Sequence, residues 1–433
     1  MTAQNLKKTD QQEQNARDSL GSTKDNLTSR SGLLLVLQVF KSLRLKQLAN
    51  ILFRRPGSNR GYRNGDILTT LVAMLSDGAT RLSGVSRLHR ESALLKLVGI
   101  RKLPGVNTLS RWLHRHGQAG VRLINQLNQR VLATTLKCLK VTEVTLDIDA
   151  TVIETDKSTA TRTYKKCSGY TPMVGTIAET KQVIAAQLRH GFVSARTDNL
   201  GFIKLCRKLL PKGILLKCVR SDAAGYQHKV INYLIRHGID FVIRAATNPL
   251  IERAVAALSG SAWQPLRYQD GSLSQHQWVA RCSHAMYRSD QVFDLVVKRT
   301  RKPLPAQKKM AIQLLYRQRI LELFVDDTAH YDYHVIATHI KALDNSAIVH
   351  FYNQRGEHSE NRIKEVKSDF AVSRPPCSDF DANALYVAVC ALAFNIFVLM
   401  RHGLPAGMRR ARASTLRVEL FALAGKIVCH GQQ

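Results

Sequence analysis

Eighteen consecutive residues, Asn383 to Met400 (NALYVAVCALAFNIFVLM), carry no charge and set the scale of what this chain must bury. A run this apolar avoids water, and its length approaches that of a membrane span. Two asparagines, Asn383 and Asn395, sit inside it, and charged chain flanks it on both sides. An amide in an apolar environment needs a hydrogen-bond partner, so the run is expected as a helix within a protein core. The competing reading, a basic protein lying on an anionic membrane, rests on the same run. At 433 residues, 45% hydrophobic and 22% charged, the chain has the composition of a globular protein. Its length suits about two or three domains.

Lysine and arginine number 64 against 32 acidic residues, a net charge of +32. Such a surplus opposes compaction unless a polyanion neutralises it. Nucleic acid is therefore the expected partner, with an anionic lipid surface as the alternative. No apolar signal core follows Met1, which argues against export. The eight cysteines form no C-x-x-C pair, and their closest spacings are 12 and 13 residues. That argues against a zinc ribbon and for reduced, packed thiols in a cytosol.

Residues 1–31 are polar and read as a disordered tail. From 32 to 140 the periodicity is helical, beginning with Leu33, Val36, Leu37, Phe40 and Leu43. Within it, LPGVNTLSRWLHRHG offers Asn107 as an N-cap and Leu109, Trp112 and Leu113 as an apolar stripe. Ser110, Arg111, Arg115 and His116 fall largely on the other faces. A short basic helix after a Pro-Gly turn suits a DNA groove, and it suits a solvated basic surface equally well.

From 141 to 247 the texture changes to alternating strands and helices. Glu143 to Asp149, Lys181 to Arg189, Ile214 to Val219 and Phe241 to Ala245 read as strands; Asn199 to Leu210 and Tyr226 to Arg236 read as helices. This is the pattern of an α/β layer. Over 248–345 short alternating runs such as QWVARC and QVFDLVVKRT indicate a β-rich insertion. From 346 to 433 the layer resumes. Ala347 to Tyr352 reads as a strand or an extended entry to a helix, Glu360 to Phe370 as a charged helix, and the tail after Arg401 as basic helices.

In so basic a chain, acids at the ends of buried strands stand out. Asp147 and Asp149 lie two apart on one strand and share a face. Asp222 ends a second strand. Carboxylates at neighbouring strand ends repel one another unless a cation lies between them, and hard oxygen donors select Mg²⁺ or Mn²⁺. Two such ions serve phosphodiester chemistry, which calls for a third carboxylate; Glu360 is the candidate. On a helix Glu360, Lys364 and Lys367 share one face, and Arg355 offers a forked contact to phosphate. Taken singly, each aspartate reads as a strand-end cap, and the helix as a solvated face of surface ion pairs.

LDIDAT at 146–151, RSDAAGYQ at 220–227 and YNQRGEHSENRIKEVK at 352–367 resemble bacterial insertion-sequence transposases of the DDE type. The resemblance is to the subgroup with a Tyr-Arg-Glu-Lys signature, the insertion-sequence family numbered thirteen-eighty, and it runs from about residue 32 to 427. It implies a ribonuclease-H-like α/β catalytic core interrupted by the β-rich insertion, with an N-terminal helical DNA-binding region. It implies Asp149, Asp222 and Glu360 as catalytic residues and ligands of two Mg²⁺ ions, with Mn²⁺ as a substitute and Asp147 as a rival first ligand. Tyr352, Arg355, Lys364 and Lys367, with Arg111 and Arg115, are the expected DNA contacts. The implied partner is double-stranded DNA, both the element's terminal inverted repeats and its target. The implied assembly is a homodimer in the bacterial cytoplasm, away from any membrane, and the implied reaction is strand cleavage and strand transfer. Relatives hold a flipped base on a tryptophan of the insertion, where Trp263 and Trp278 lie here; a core role is the other reading of both. Four residues separate Arg355 from Glu360, one more than the family spacing, which would land on Ser359. That departure motivates a rival function: a catalytically inactive copy that binds element ends as a repressor.

Overall fold

The computed structural model describes residues 25–53, 61–100, 102–287, 289–303, 329–356 and 361–428. Most of the expected tail and Glu360 lie outside them. The last part of that tail is not disordered: β1 (Leu27–Thr28) pairs antiparallel with a strand near the end of the described chain, β14 (Gly425–Lys426). The hydroxyls of Thr28 and Ser29 donate to the Glu91 carboxylate, which ties the segment to the helices behind it.

Six helices follow: α1 (Leu33–Ser42), α2 (Leu45–Leu52), α3 (Asn64–Ser76), α4 (Val85–His89), α5 (Ser92–Leu97) and α6 (Val106–Cys138). Gly105, not Asn107, precedes α6, so the expected cap lies inside the helix. Leu109, Trp112 and Leu113 are buried as the stripe requires. His116 is not on the solvent side; its ring packs 5.0 Å from Phe53 and 5.2 Å from Trp112. The helix breaks at Gly117, whose φ of 37° and ψ of −134° lie outside the helical region. A Cβ there would also meet that of Asp381 at 3.1 Å, so glycine permits both the break and the close approach.

The chain then builds β2 (Glu143–Ala150), a small excursion of β3 (Ile153–Glu154), β4 (Thr161–Arg162) and β5 (Ser168–Tyr170), and β6 (Met173–Ile177) and β7 (Val183–Gln187). Next come α7 (Asn199–Leu209), β8 (Leu215–Ser221), α8 (His228–Arg236), β9 (Asp240–Arg244) and α9 (Pro249–Ala256). The following strands are β10 (Gln264–Arg267), β11 (Leu273–Ala285), β12 (Val292–Pro303) and β13 (Ala329–Thr338). The main sheet runs β10-β11-β12-β13-β9-β8-β2-β6-β7. Strands β2, β8 and β9 are parallel to one another and the remaining pairings are antiparallel. The architecture is therefore mixed α/β, and the strands of 264–338 extend the central sheet edge to edge through β13 and β9.

Helices α10 (Asn345–Arg355), α11 (Asn361–Asp369) and α12 (Phe380–His402) follow, and the basic segment after Arg401 adds the short helices α13 (Ala406–Arg409) and α14 (Ala413–Leu416) and a π-helical turn, Arg417–Phe421. Ala347 to Tyr352 is thus helical rather than extended. Asp344 decides this, because its carboxylate accepts the Ala347 N–H at 2.8 Å and caps the first turn over a locally strand-prone IVHFY sequence. Asp379 caps α12 in the same way through Ala382 N at 2.7 Å.

The most apolar 18-residue window of α12 has a mean hydropathy of 2.1, and 94% of it is buried within the protein. It packs against α6, α3, α1 and the edge strand β7. Both asparagines are fully buried and paired. Asn383 exchanges two hydrogen bonds with the backbone of Cys377. Asn395 donates to Asn128 Oδ1 at 2.7 Å and Val183 O at 2.6 Å, and accepts from Val183 N at 2.8 Å. Asn395→Ala should strand the Val183 N–H and the Asn128 Oδ1, lowering stability by about 2–4 kcal/mol in urea unfolding.

Candidate functional site

The site begins with strand register. In the parallel pair β2–β8, Asp147 lies opposite Arg220 and Ile148 opposite Ser221. The next residues, Asp149 and Asp222, therefore leave the same edge of the sheet on neighbouring strands. Asp222 turns the chain there: its carboxylate accepts the Ala224 N–H at 3.0 Å and caps the short turn Ala223–Gly225. A Cβ at Gly225 would meet Ser221 Oγ at 2.4 Å, so the turn is tight enough to require glycine.

The two aspartates of β2 have different environments. Asp147 is 1% exposed and takes a forked ion pair from Arg220, with Nε at 2.6 Å from Oδ1 and Nη2 at 2.8 Å from Oδ2. Arg220 is equally buried, donates from Nη1 to Phe351 O at 2.7 Å, and holds its guanidinium 4.7 Å from the Phe351 ring. Asp147 is thus committed to an internal counter-ion. Asp149 stands at the rim, where Arg355 Nη2 approaches its Oδ1 at 3.1 Å and also donates to Ile148 O at 3.2 Å. Burial works against the Arg355 charge, but Asp149, Tyr352 and Asp222 outweigh it, so its pKa lies above the ordinary arginine value.

Tyr352, three residues before Arg355 on α10, packs its ring 5.2 Å from that of His334. Burial raises its hydroxyl pKa, with Arg355 and Arg244 opposing and Asp222 reinforcing the shift. From the other side, Lys367 on α11 donates from Nζ to Thr151 Oγ1 at 3.0 Å and Val152 O at 2.7 Å. Burial, and then the neighbouring Lys165 charge, lower its pKa. A cleft of about 340 Å³ opens between these elements, lined by Asp149, Thr151, Ile363, Lys364, Lys367, Ser368 and Ser373.

Asp149, Asp222, Tyr352 and Arg355 therefore converge, and Lys364 and Lys367 line the adjoining cleft. Arg111 and Arg115 are exposed on α6 and do not line it. Among the described residues no three acidic, histidine or cysteine side chains gather around one point, and Glu360 lies outside those residues. The donor set that is described, two carboxylates at adjacent strand ends, suits a hard divalent ion. Trp263 and Trp278 are partly buried and away from the cleft; both rings face Arg299, at 4.2 and 5.3 Å.

Sequence reasoning missed Arg220. The signal was a second cation, Arg220, in the largely apolar strand ILLKCVR, two residues before the strand-end acid. Asp147→Asn should leave the Arg220 charge buried without a counter-ion and cost about 3–5 kcal/mol in chemical denaturation. The paired replacement of Asp147→Leu with Arg220→Met should recover most of that loss.

A family model described as Transposase DDE domain group 1 matches residues 19–433. No curated protein matches the chain. Among solved structures it is similar to a piggyBac transposase synaptic complex with hairpin DNA, determined by cryo-EM. That match has 13% identity and a TM-score of 0.45, covering 90% of this chain and 80% of the other.

Proposed function

The chain belongs to the DDE transposase family, Transposase DDE domain group 1, and on that premise we propose that it mobilises a bacterial insertion sequence of the Tyr-Arg-Glu-Lys class. It binds the terminal inverted repeats, hydrolyses a phosphodiester bond there, and uses the freed 3′-hydroxyl to attack a second phosphodiester. The observation that carries this reading is the exit of Asp149 and Asp222 from one edge of paired parallel strands, with Arg355 reaching Asp149.

Asp149, Asp222 and Glu360 would hold two Mg²⁺ ions, with Mn²⁺ as a substitute. When bound, the ions supply an activated nucleophile and charge stabilisation at the leaving oxygen. Arg355, fixed in its charged form, offers a fork to a phosphate beside the carboxylates. Tyr352 lies three residues before it on the same helix. Lys367, held by Thr151 and Val152, lines the cleft together with Asp149. Lys364, Arg111 and Arg115 add exposed positive charge for the DNA backbone, so binding weakens steeply with salt. The helical residues 32–140 and the basic residues after Arg401 serve end recognition.

The strand order β7-β6-β2-β8-β9, antiparallel on one side of β2 and parallel on the other, supports a ribonuclease-H-like core. The strands of 264–338 then form its insertion, between Asp222 and Glu360. Burial of α12 supports a core helix rather than a membrane span, and the reaction proposed places the protein on DNA in the bacterial cytoplasm. Two copies bridging two element ends complete the reading. The reach of Arg355 to Asp149 favours an active enzyme over a repressor copy, because the extra residue before Glu360 leaves that contact intact.

A nicking assay on end-containing duplex with Mg²⁺ tests the proposal. Cleavage should disappear in Asp149→Ala, in Asp222→Ala, in Glu360→Ala and on chelation, while each variant still shifts the duplex in a gel. Binding without cleavage by the unaltered chain, in Mg²⁺ and in Mn²⁺, would establish the repressor instead.

A further inference from the structure

Between β2 and β6 the chain leaves the main sheet and folds residues 153–170 into a three-stranded excursion of order β3-β5-β4. Its base is fixed from two directions. Thr159 Oγ1 lies 2.7 Å from Tyr170 Oη and donates to Ser378 O at 2.9 Å, while Lys157 Nζ donates to Pro376 O at 3.2 Å. Gly169 and Gly191 pass so close to neighbouring backbone that a Cβ would meet Ile153 O at 2.0 Å and Thr161 O at 2.2 Å. The β4–β5 hairpin is therefore a rigid projection.

Its tip is a tight three-residue connection, closed by Lys166 N to Thr163 O and Thr163 N to Cys167 O, both at 2.9 Å. Lys166 occupies the left-handed position of this connection, with φ of 65°. Glycine or asparagine suits that position best, so a lysine there trades backbone comfort for a cationic side chain. The tip presents Tyr164, 61% exposed, beside exposed Arg162, Lys165 and Lys166. None of these three cations has an acidic partner among the described residues. Phe192, 70% exposed, stands at the hairpin base, where its N–H donates to Thr161 Oγ1 at 3.2 Å. Its ring stacks over His190 at 5.6 Å, and His190 stacks on Phe380 at 4.0 Å.

This surface adjoins the cleft. Lys367 is bonded to Val152 O, and the next residue, Ile153, pairs with Tyr170 of the hairpin. The Lys165 charge is felt at Lys367. Aromatic faces interleaved with exposed cations match the chemistry of an unstacked or distorted DNA strand: rings for bases, ammonium and guanidinium groups for phosphates.

We infer that the β4–β5 hairpin is a DNA clamp, in which Tyr164, Lys165 and Lys166 grip the strand carrying the scissile phosphate from the side opposite α10. The inference rests on the transposase reading above and adds a contact surface to it.

The decisive variant is Lys166→Gly, which removes the charge and relieves the backbone at once. In the full chain it should leave the melting temperature unchanged or raised, and lower the slope of log affinity against log salt by about 0.9 on end-containing duplex. Lys165→Ala should lower the slope by a similar amount. Tyr164→Ala should weaken binding on the order of tenfold, and Tyr164→Phe should restore it. Unaltered slopes and affinities in all these variants, beside a parent chain that binds and cleaves, would overturn the clamp and leave the transposase reading standing. A parent chain that binds no DNA would overturn both. Variants that lose affinity for phosphatidylserine vesicles while keeping it for DNA would assign the hairpin to a lipid surface and overturn the clamp as well.

Discussion

Burial of α12 is the constraint on which the remainder of the structure depends. The helix lies against α6, α3 and α1 on the helical side and against β7 on the sheet side, so the two layers share one apolar spine. Apolar burial is non-directional and does not by itself set how the spine is rotated. The buried amides do that. Asn395 is satisfied in this arrangement only when Asn128 and both backbone groups of Val183 are in place, which fixes α6 and the sheet edge relative to each other.

The same helix positions both walls of the cleft. At its start, Pro376 and Ser378 receive the side chains that pin the β3–β5 excursion, and Phe380 supports His190. At its end, Arg401 forms a buried ion pair with Glu365 of α11 at 2.6 Å, and Glu365 also accepts the Ala413 N–H. Helix α11 carries Lys364 and Lys367, so the cations opposite Asp149 are set by a contact made on the hidden face of their own helix. Sites that must hold mutually repelling charges benefit from rigid support of this kind, because the groups are positioned before any partner arrives.

Much of this was legible in the residues. The apolar run announced a buried helix, the β-branched stretches announced strands, and the acids Asp149 and Asp222 leave one edge of the sheet on neighbouring strands. What was not legible depended on partners distant in sequence. The pattern EVTLDID puts Asp147 and Asp149 on one face and cannot say which is internal. That is decided by Arg220 on the neighbouring strand and by how far β2 runs before the sheet ends. The stretch from Ala347 to Tyr352 has strand-forming residues, and the helix prevails because Asp344 caps its first turn and Ile348 and Val349 bury against the sheet. His116 reads as one of several basic residues on a surface, yet Phe53 and Trp112 draw its ring into the helical core. The two insertion tryptophans had two plausible roles, and both turn out to face Arg299.

The β2–β8 register has a consequence for how such a chain tolerates insertions and deletions. Strand pairing shifts only in whole residues, and each single-residue slip turns every side chain to the opposite face. One residue gained or lost within β2 would drive Asp149 inward and carry Asp147 away from Arg220, undoing two arrangements in one step. The ladder absorbs one extra residue near its start, where the register shifts between Val144 and Thr145, but the pairing from Thr145 to Ile148 that sets Asp147 and Asp149 is unbroken.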